Sequence, residues 1–301
     1  MHTSDTPRFA VVGAGAVGCY FGGMLARAGV PVTLIGRASH VDAMRERGLR
    51  LDTQMFDENV QVDASTDTAA VAGADVVLFC VKSTDTERTA REIAPRLNPG
   101  TVVVSLQNGV ENAEIIRRVL PQQVIPAVVY VATEMAGPAH LKHHGRGELA
   151  IGAAPESARI VDAFGRAGVP VQVSDNVMGA LWGKLIVNCA YNALSAIAQK
   201  TYGKLVEVDG IPELMQDVVD ECLRVAAADG VTVPGDSHEA VRRIAHSMAN
   251  QYSSTAQDVA RGKPNEIDYL NGYVVRRGRA HGIPTPINQT LLAVVRLVAT
   301  R

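Results

Sequence analysis

Lys184, Asn188 and Asn192 recur at every fourth position of an otherwise apolar stretch running from Trp182 to Ser195. At about 100° per residue, that spacing places all three within an arc of roughly 80° on one helical face. Such a stripe suits the reduction of a ketone. A hydride arriving at a carbonyl carbon builds negative charge on oxygen, and a protonated lysine can stabilise that charge and then give up a proton. Two side-chain amides can hold the substrate's oxygens in register without adding a charge that competes with the lysine. Two readings stand side by side: the wet stripe of an ordinary amphipathic helix, or a polar face lining a cleft. Asparagine is a poor helix former for a merely solvated face, which favours the cleft.

A second constellation lies near the N-terminus. Gly13-Ala14-Gly15-Ala16-Val17-Gly18 fits G-x-G-x-x-G, directly after the apolar run Phe9–Val12 and before a helical stretch, with a second apolar run (Val32–Ile35) closing a unit of about 30 residues. In that context Gly13 permits the tight turn, Gly15 lets backbone N–H groups approach a pyrophosphate, and Gly18 lets helix and strand pack closely. An NAD site usually carries Asp or Glu at the end of the second strand to bind the ribose 2′-hydroxyl, but here that strand ends Leu34-Ile35-Gly36-Arg37. Arg37 can grip a 2′-phosphate where a carboxylate would repel it, so NADP(H) is the expected cofactor.

Lys82 and Asn108 each follow an apolar strand-like run, at the strand ends where ligands sit in open α/β sheets. Asn108-Gly109 also reads as a simple turn. Ser253-Ser254-Thr255 precede a helical run containing Asp258, and their hydroxyls suit either N-capping or carboxylate binding. The histidines show no HExxH or H-x3-H spacing, so no metal site is expected.

These residues need a scaffold, and the chain contains one. Phe9–Val12, Val32–Ile35, Asp75–Val81, Thr101–Ser105 and Val124–Val131 are apolar runs bounded by Gly, Asp or Pro and separated by helical stretches at 17–28 and 41–47. That alternation predicts a doubly wound parallel α/β sheet of Rossmann type. After about Ser174 long helical periodicities take over, at 177–200, 211–229, 237–245, 254–261, 266–281 and 286–299, with glycine and proline breaks between them. The expected division is a dinucleotide-binding domain at 1–175 and an all-helical substrate domain at 176–301.

Composition agrees with this reading. The chain has 301 residues, 47% hydrophobic and 20% charged, with 29 Lys and Arg against 31 Asp and Glu. It carries no basic block to suggest a nucleic-acid or anionic-membrane partner, and a small molecule is the expected ligand. The cysteines Cys19, Cys80, Cys189 and Cys222 are scattered among apolar neighbours and read as buried free thiols. No leader pattern or membrane-length apolar run is present, which predicts a cytoplasmic protein.

Taken in order, GAGAVG, Lys82, Asn108-Gly109, the Lys184-x3-Asn188-x3-Asn192 helix, Ser253-Ser254 with Gln257-Asp258, and EIDYLNG at 266–272 resemble the ketopantoate reductase (2-dehydropantoate 2-reductase) family over nearly the whole chain. The resemblance implies a Rossmann domain, a helical domain and a cleft between them. There NADPH would reduce 2-dehydropantoate to pantoate, on the route to pantothenate and coenzyme A. It implies Lys184 as general acid, with Asn188, Asn192 and Ser254 on the keto acid. Gly13, Ala14, Gly15, Ala16, Val17 and Gly18 would lie under the pyrophosphate. Arg37, Lys82, Asn108, Ala132 and Glu266 would line the cofactor side, with Asn108 also in reach of the substrate. A homodimer is among the assemblies it allows.

The chain departs from the family pattern at two positions. Tyr202 stands where some members carry a further substrate-binding Asn, and Thr255 stands where Met often follows the serine pair. Both bear on the acyl part of the substrate more than on the reaction. The alternatives are a reductase of another small 2-keto acid, since fold and cofactor loop do not fix the pocket, and a non-catalytic NADP(H) sensor, against which an intact Lys184 argues.

Overall fold

Successive residues of each short apolar run face opposite ways, and both sides are covered. In the computed structural model, which describes residues 6–300, Phe9, Val11, Val76, Leu78, Val102 and Val104 pack in one core with Phe21, Leu25 and Phe164. Ala10, Val12, Val77, Phe79 and Val103 pack in a second core with Ile93 and Ile116. Strands buried on both faces require helices on both, which is the doubly wound arrangement expected from the sequence.

The strands are β1 (Phe9–Val12), β2 (Val32–Ile35), β3 (Leu49–Asp52), β4 (Asp57–Val60), β5 (Asp63–Ser65), β6 (Val76–Phe79), β7 (Val102–Ser105), β8 (Gln123–Gly137), β9 (His140–Gly152) and β10 (Val171–Ser174). They form one sheet in the order β4-β3-β9-β8-β7-β6-β1-β2-β5, with β10 on β9. Helices α1 (Ala16–Arg27), α2 (Ala38–Arg47) and α5 (Ser157–Arg166) supply the first core, and α3 (Thr86–Ile93) and α4 (Asn112–Arg117) the second. From β5 to β8 all pairings are parallel. Their carboxyl ends lie in register, Ile35 beside Val12, Val12 beside Phe79, Phe79 beside Ser105 and Ser105 beside Pro126. The loops that leave this edge carry Gly13, Arg37, Lys82 and Asn108.

The sheet is not wholly parallel. The strand expected at 124–131 runs on to Gly137, turns at Pro138-Ala139 and returns antiparallel as β9. Its polar half, rich in His, Gly and Arg, has a loop's composition. Register shifts and left-handed backbone at Gly145, Arg146 and Gly147 (φ +141°, +59° and +146°) further break the alternation that marks a strand. A Cβ on Gly147 would lie 2.1 Å from the Tyr20 hydroxyl, so the close seat of α1 on this hairpin requires glycine there.

The rest of the chain is helical: α6 (Val177–Ala198), α7 (Tyr202–Val206), α8 (Ile211–Ala228), α9 (Ser237–Ser247), α10 (Ser254–Ala260), α11 (Asn271–Ala280) and α12 (Pro286–Val298). The helix expected at 266–281 is instead a 3-10 turn at Ile267–Tyr269 followed by α11, parted by the unusual backbone of Leu270 (φ −105°, ψ −104°). Two compact units result. One holds the chain up to Gln107 with Glu111–Val177, and the other holds Asn108–Val110 with the chain from Met178 onward. All four cysteines are free, with Cys19, Cys189 and Cys222 buried and Cys80 partly so. Burial pushes the Cys19 thiol up to about 12, which keeps it unreactive. No helix among the described residues is long and apolar enough to cross a membrane.

Asp229, at the C-terminal end of α8, ties that helix to α11. It accepts from Arg277 Nε at 2.9 Å, and His281 Nε2 lies 2.6 Å from its Oδ1. Burial opposes its charge, but these hydrogen bonds and the neighbouring positive charges outweigh burial and hold the carboxyl below its ordinary range. A depressed carboxylate stabilises the fold above the unfolded value of about 3.9 and loses that contribution as pH falls through the folded value. Asp229→Asn is therefore expected to lower Tm at neutral pH, with the gap to wild type closing as pH drops below about 4. Thermal unfolding followed across that range checks this, and a gap independent of pH contradicts it.

Candidate active site

Two groups of residues stand out, one in each unit. In the sheet unit, the loop after β1 is held tightly. Gly13 and Ala14 both donate to Ile35 O at 2.9 Å, and Gly13 has φ +107°. A Cβ on Gly13 would sit 2.6 Å from Val81 N, next to Lys82, and one on Gly18 would sit 2.2 Å from Gly13 O. Around Gly15, by contrast, a Cβ would meet nothing within 4 Å. Gly15 is the N-cap of α1, with no side-chain cap and no acidic residue in the first turn, so the positive end of the helix faces open space. The open cradle fits a pyrophosphate.

Gly36 is a glycine that pattern reading missed. A Cβ there would lie 2.7 Å from the Ala14 Cβ, so the residue that leads into Arg37 must be small for β2 to close against the loop. Arg37 is exposed at the N-cap of α2 and enters no ion pair among the described residues. Lys82 caps a 3-10 turn, Ser83–Asp85. Ala132 lies on the β8–β9 hairpin opposite Gly145, with a register shift on either side.

A buried polar network, also unforeseen, fixes the loops after β6 and β7. Gln107 Nε2 donates to Val81 O at 3.0 Å and Thr86 Oγ1 at 2.7 Å. Thr86 Oγ1 donates to Asn112 Oδ1 at 2.9 Å, and Asn112 Nδ2 to Ser83 Oγ at 3.2 Å. Single Gln, Thr and Ser residues in loops carry no periodic signal, so only the fold reveals this contact.

In the helical unit the expected residues meet directly. Lys184 Nζ donates to Asn108 Oδ1 at 3.0 Å, and Asn108 Nδ2 donates to Glu266 Oε2 at 3.4 Å. Lysine only donates and a carboxylate only accepts, so the Asn108 amide can point just one way. Left-handed Gly109 (φ +88°) makes the turn behind it. Asn188 lies half-buried one helical turn beyond Lys184, while Asn192 is 3% exposed and its Nδ2 donates to Thr255 Oγ1 at 3.3 Å. The stripe thus runs from a half-buried lysine inward to a buried amide, unlike a wet surface face.

The serine pair divides its labour. Ser253 is the N-cap of α10, accepting from Ala256 N at 3.0 Å and donating to Asn192 O at 3.3 Å, whereas Ser254 is exposed on the first turn. Tyr202 is 9% exposed and its ring lies 4.8 Å from that of Tyr191, so it acts as a core residue behind α6. Burial raises its phenol pKa and keeps it neutral. Among the described residues, no group of three or more His, Cys, Asp or Glu is placed to hold a metal ion.

Comparisons with known proteins identify the family. Residues 9–156 match the family described as ketopantoate reductase PanE/ApbA, and residues 176–299 match its C-terminal region. A 2-dehydropantoate 2-reductase of Halobacterium salinarum is 36% identical over 96% of this chain and 98% of that protein. A crystal structure of a PanE/ApbA family ketopantoate reductase from Ralstonia eutropha JMP134 is 60% identical, with a TM-score of 0.95 over 97% of this chain and 98% of that one. D-mandelate dehydrogenase, solved with NADH and anilino(oxo)acetate, is 25% identical with a TM-score of 0.90 over 97% of this chain and 98% of that one. The chain is an oxidoreductase belonging to the ketopantoate reductase family.

The glycine geometry makes a contrast that can be measured. Gly18→Ala forces a Cβ into Gly13 O and is expected to cost about 1–3 kcal/mol of stability. Gly15→Ala enters open space with ordinary extended backbone and should stay within about 0.5 kcal/mol of wild type. Urea unfolding of the two variants checks the order, and equal losses contradict it.

Proposed function

We propose that this protein reduces 2-dehydropantoate to pantoate with NADPH, and that Lys184 is the general acid. The observation that carries the proposal is the Lys184–Asn108–Glu266 line. It holds an ammonium group, partly withdrawn from water, at the head of a stripe of amides. NADPH, when bound, supplies the hydride that adds to the keto carbon. As the C=O π bond breaks, its electron pair moves onto oxygen, and Lys184 Nζ stabilises that oxygen and transfers a proton to it. Asn108 aims Nζ through its carbonyl. Asn188 and Asn192 offer amides to the substrate's oxygens, and exposed Ser254 offers a hydroxyl to its carboxylate. For the cofactor, the sheet unit offers the loop Gly13–Gly18, Lys82 and Ala132, and the helical unit offers Glu266.

Preference for NADPH is supported by the exposed Arg37 at the end of β2, where no carboxylate stands. A second reading keeps the chemistry and changes the acid. It is favoured by the likeness to D-mandelate dehydrogenase and by Thr255, a departure from the family pattern whose hydroxyl accepts from Asn192.

Steady-state turnover of 2-dehydropantoate and a panel of other 2-keto acids, with NADPH and with NADH, separates the two. Fast NADPH-selective turnover of 2-dehydropantoate supports the first reading, and faster turnover of another acid replaces it with the second. Lys184→Ala is expected to cost roughly 3 kcal/mol or more of barrier while NADPH binding is largely retained. Loss of binding together with turnover would make Lys184 structural. Arg37→Ala should weaken NADPH far more than NADH, and equal effects on both would remove Arg37 from the 2′-phosphate.

A further inference from the structure

We infer that Asn271 is a positioning residue that holds the helix carrying Lys184 and Asn188 against the segment carrying Glu266. The inference rests on the reading above, in which those residues serve the reaction. Asn271 lies five positions past Glu266 and is 0% exposed. Its Nδ2 donates to Cys189 O at 3.2 Å, the carbonyl next after Asn188 on α6, and to Asn288 Oδ1 at 2.9 Å.

The orientation of that amide is dictated from deeper in the unit. Glu221, 2% exposed, accepts from Ile287 N and Asn288 N at 2.9 Å each and from Asn288 Nδ2 at 2.8 Å. Because the carboxylate takes Nδ2 of Asn288, Oδ1 of Asn288 must face Asn271, which in turn must present its own Nδ2. A buried carboxylate on α8 therefore sets the rotamer of the residue that grips α6. Between grip and site lie the 3-10 turn and then Leu270, whose backbone parts that turn from α11. The Glu266 segment is thus not carried on a continuous helix, and its place relative to α6 depends on side-chain ties.

Two asparagines are among those ties. Asn108 joins Lys184 to Glu266 at one end, and Asn271 joins α6 at Cys189 to the start of α11 at the other. The arrangement carries a cost, since Asn271 Oδ1 is buried with no hydrogen-bond partner among the described residues. An orphaned carbonyl of this kind is destabilising. A helix junction selected only for stability has no reason to keep it, whereas a junction that must fix the spacing of two functional segments does.

The test compares Asn271→Ala with Val218→Ala, a core truncation on α8 outside the hydrogen-bond network above. Both variants should lower Tm. At temperatures where both are folded, and with NADPH and 2-dehydropantoate saturating, only Asn271→Ala should lower kcat, by about tenfold or more, with a smaller change in KM and a shifted pH profile of kcat. Crystal structures of the two variants supply a readout that needs no activity. The Lys184–Asn108 and Asn108–Glu266 bonds should lengthen beyond hydrogen-bond distance in Asn271→Ala and persist in Val218→Ala. If Asn271→Ala fails to fold, Asn271→Ser takes its place in both measurements. Intact bonds with an unchanged pH profile and kcat overturn the inference. Lengthened bonds in a protein whose wild type ignores 2-dehydropantoate uphold the positioning role and fail only the substrate reading.

Discussion

The structure turns on one amide. Asn108 stands between an ammonium and a carboxylate with its dipole aligned to both, Oδ1 toward Lys184 and Nδ2 toward Glu266. No other orientation satisfies the three groups. Asn108 belongs in sequence to the loop after β7, yet it packs with the helical unit. Its neighbour Gln107 stays with the sheet and is bonded to Val81 O and Thr86. A buried network of Gln, Thr, Asn and Ser holds the loop at the carboxyl edge of the sheet as far as Gln107, and the next residue opens the short stretch that packs with the lysine.

The same edge is shaped by close approach. Gly13, Gly18 and Gly36 each sit where a Cβ would collide with backbone or with Ala14, and together they bring β1, β2, the end of β6 and α1 to one point. Gly15 alone faces open space, and it stands at the uncapped start of α1. Tight packing on three sides and an opening on the fourth suit this loop to cradle a phosphate with backbone N–H groups. On the proposed reading, discrimination between the two cofactors is left to Arg37.

Much of this was legible in the residues. Burial on both faces in Phe9-Ala10-Val11-Val12 and Val76-Val77-Leu78-Phe79 follows from apolar runs without polar interruption, which only a sheet covered on both faces can bury. The glycine fingerprint and the four-residue spacing of Lys184, Asn188 and Asn192 pointed to the start of α1 and to one face of α6, because helix periodicity and turn chemistry act locally. Less was visible where long-range contacts decide. The polar half of the β8–β9 hairpin reads as a loop because His140 to Gly147 satisfy strand pairing without strand composition. Asn271, Asn288 and Glu221 look like surface residues until three helices converge on them. Tyr202 could be placed against Tyr191 only once α7 was seen to fold back behind α6.

The most direct test is a double-mutant cycle on kcat/KM for NADPH-dependent reduction of 2-dehydropantoate, built from Lys184→Ala, Asn108→Ala and the pair. If the amide acts by aiming the lysine, the two losses overlap, with a coupling of about 1 kcal/mol or more. Losses that add to within about 0.5 kcal/mol would mean that the two residues act independently, and would contradict the account.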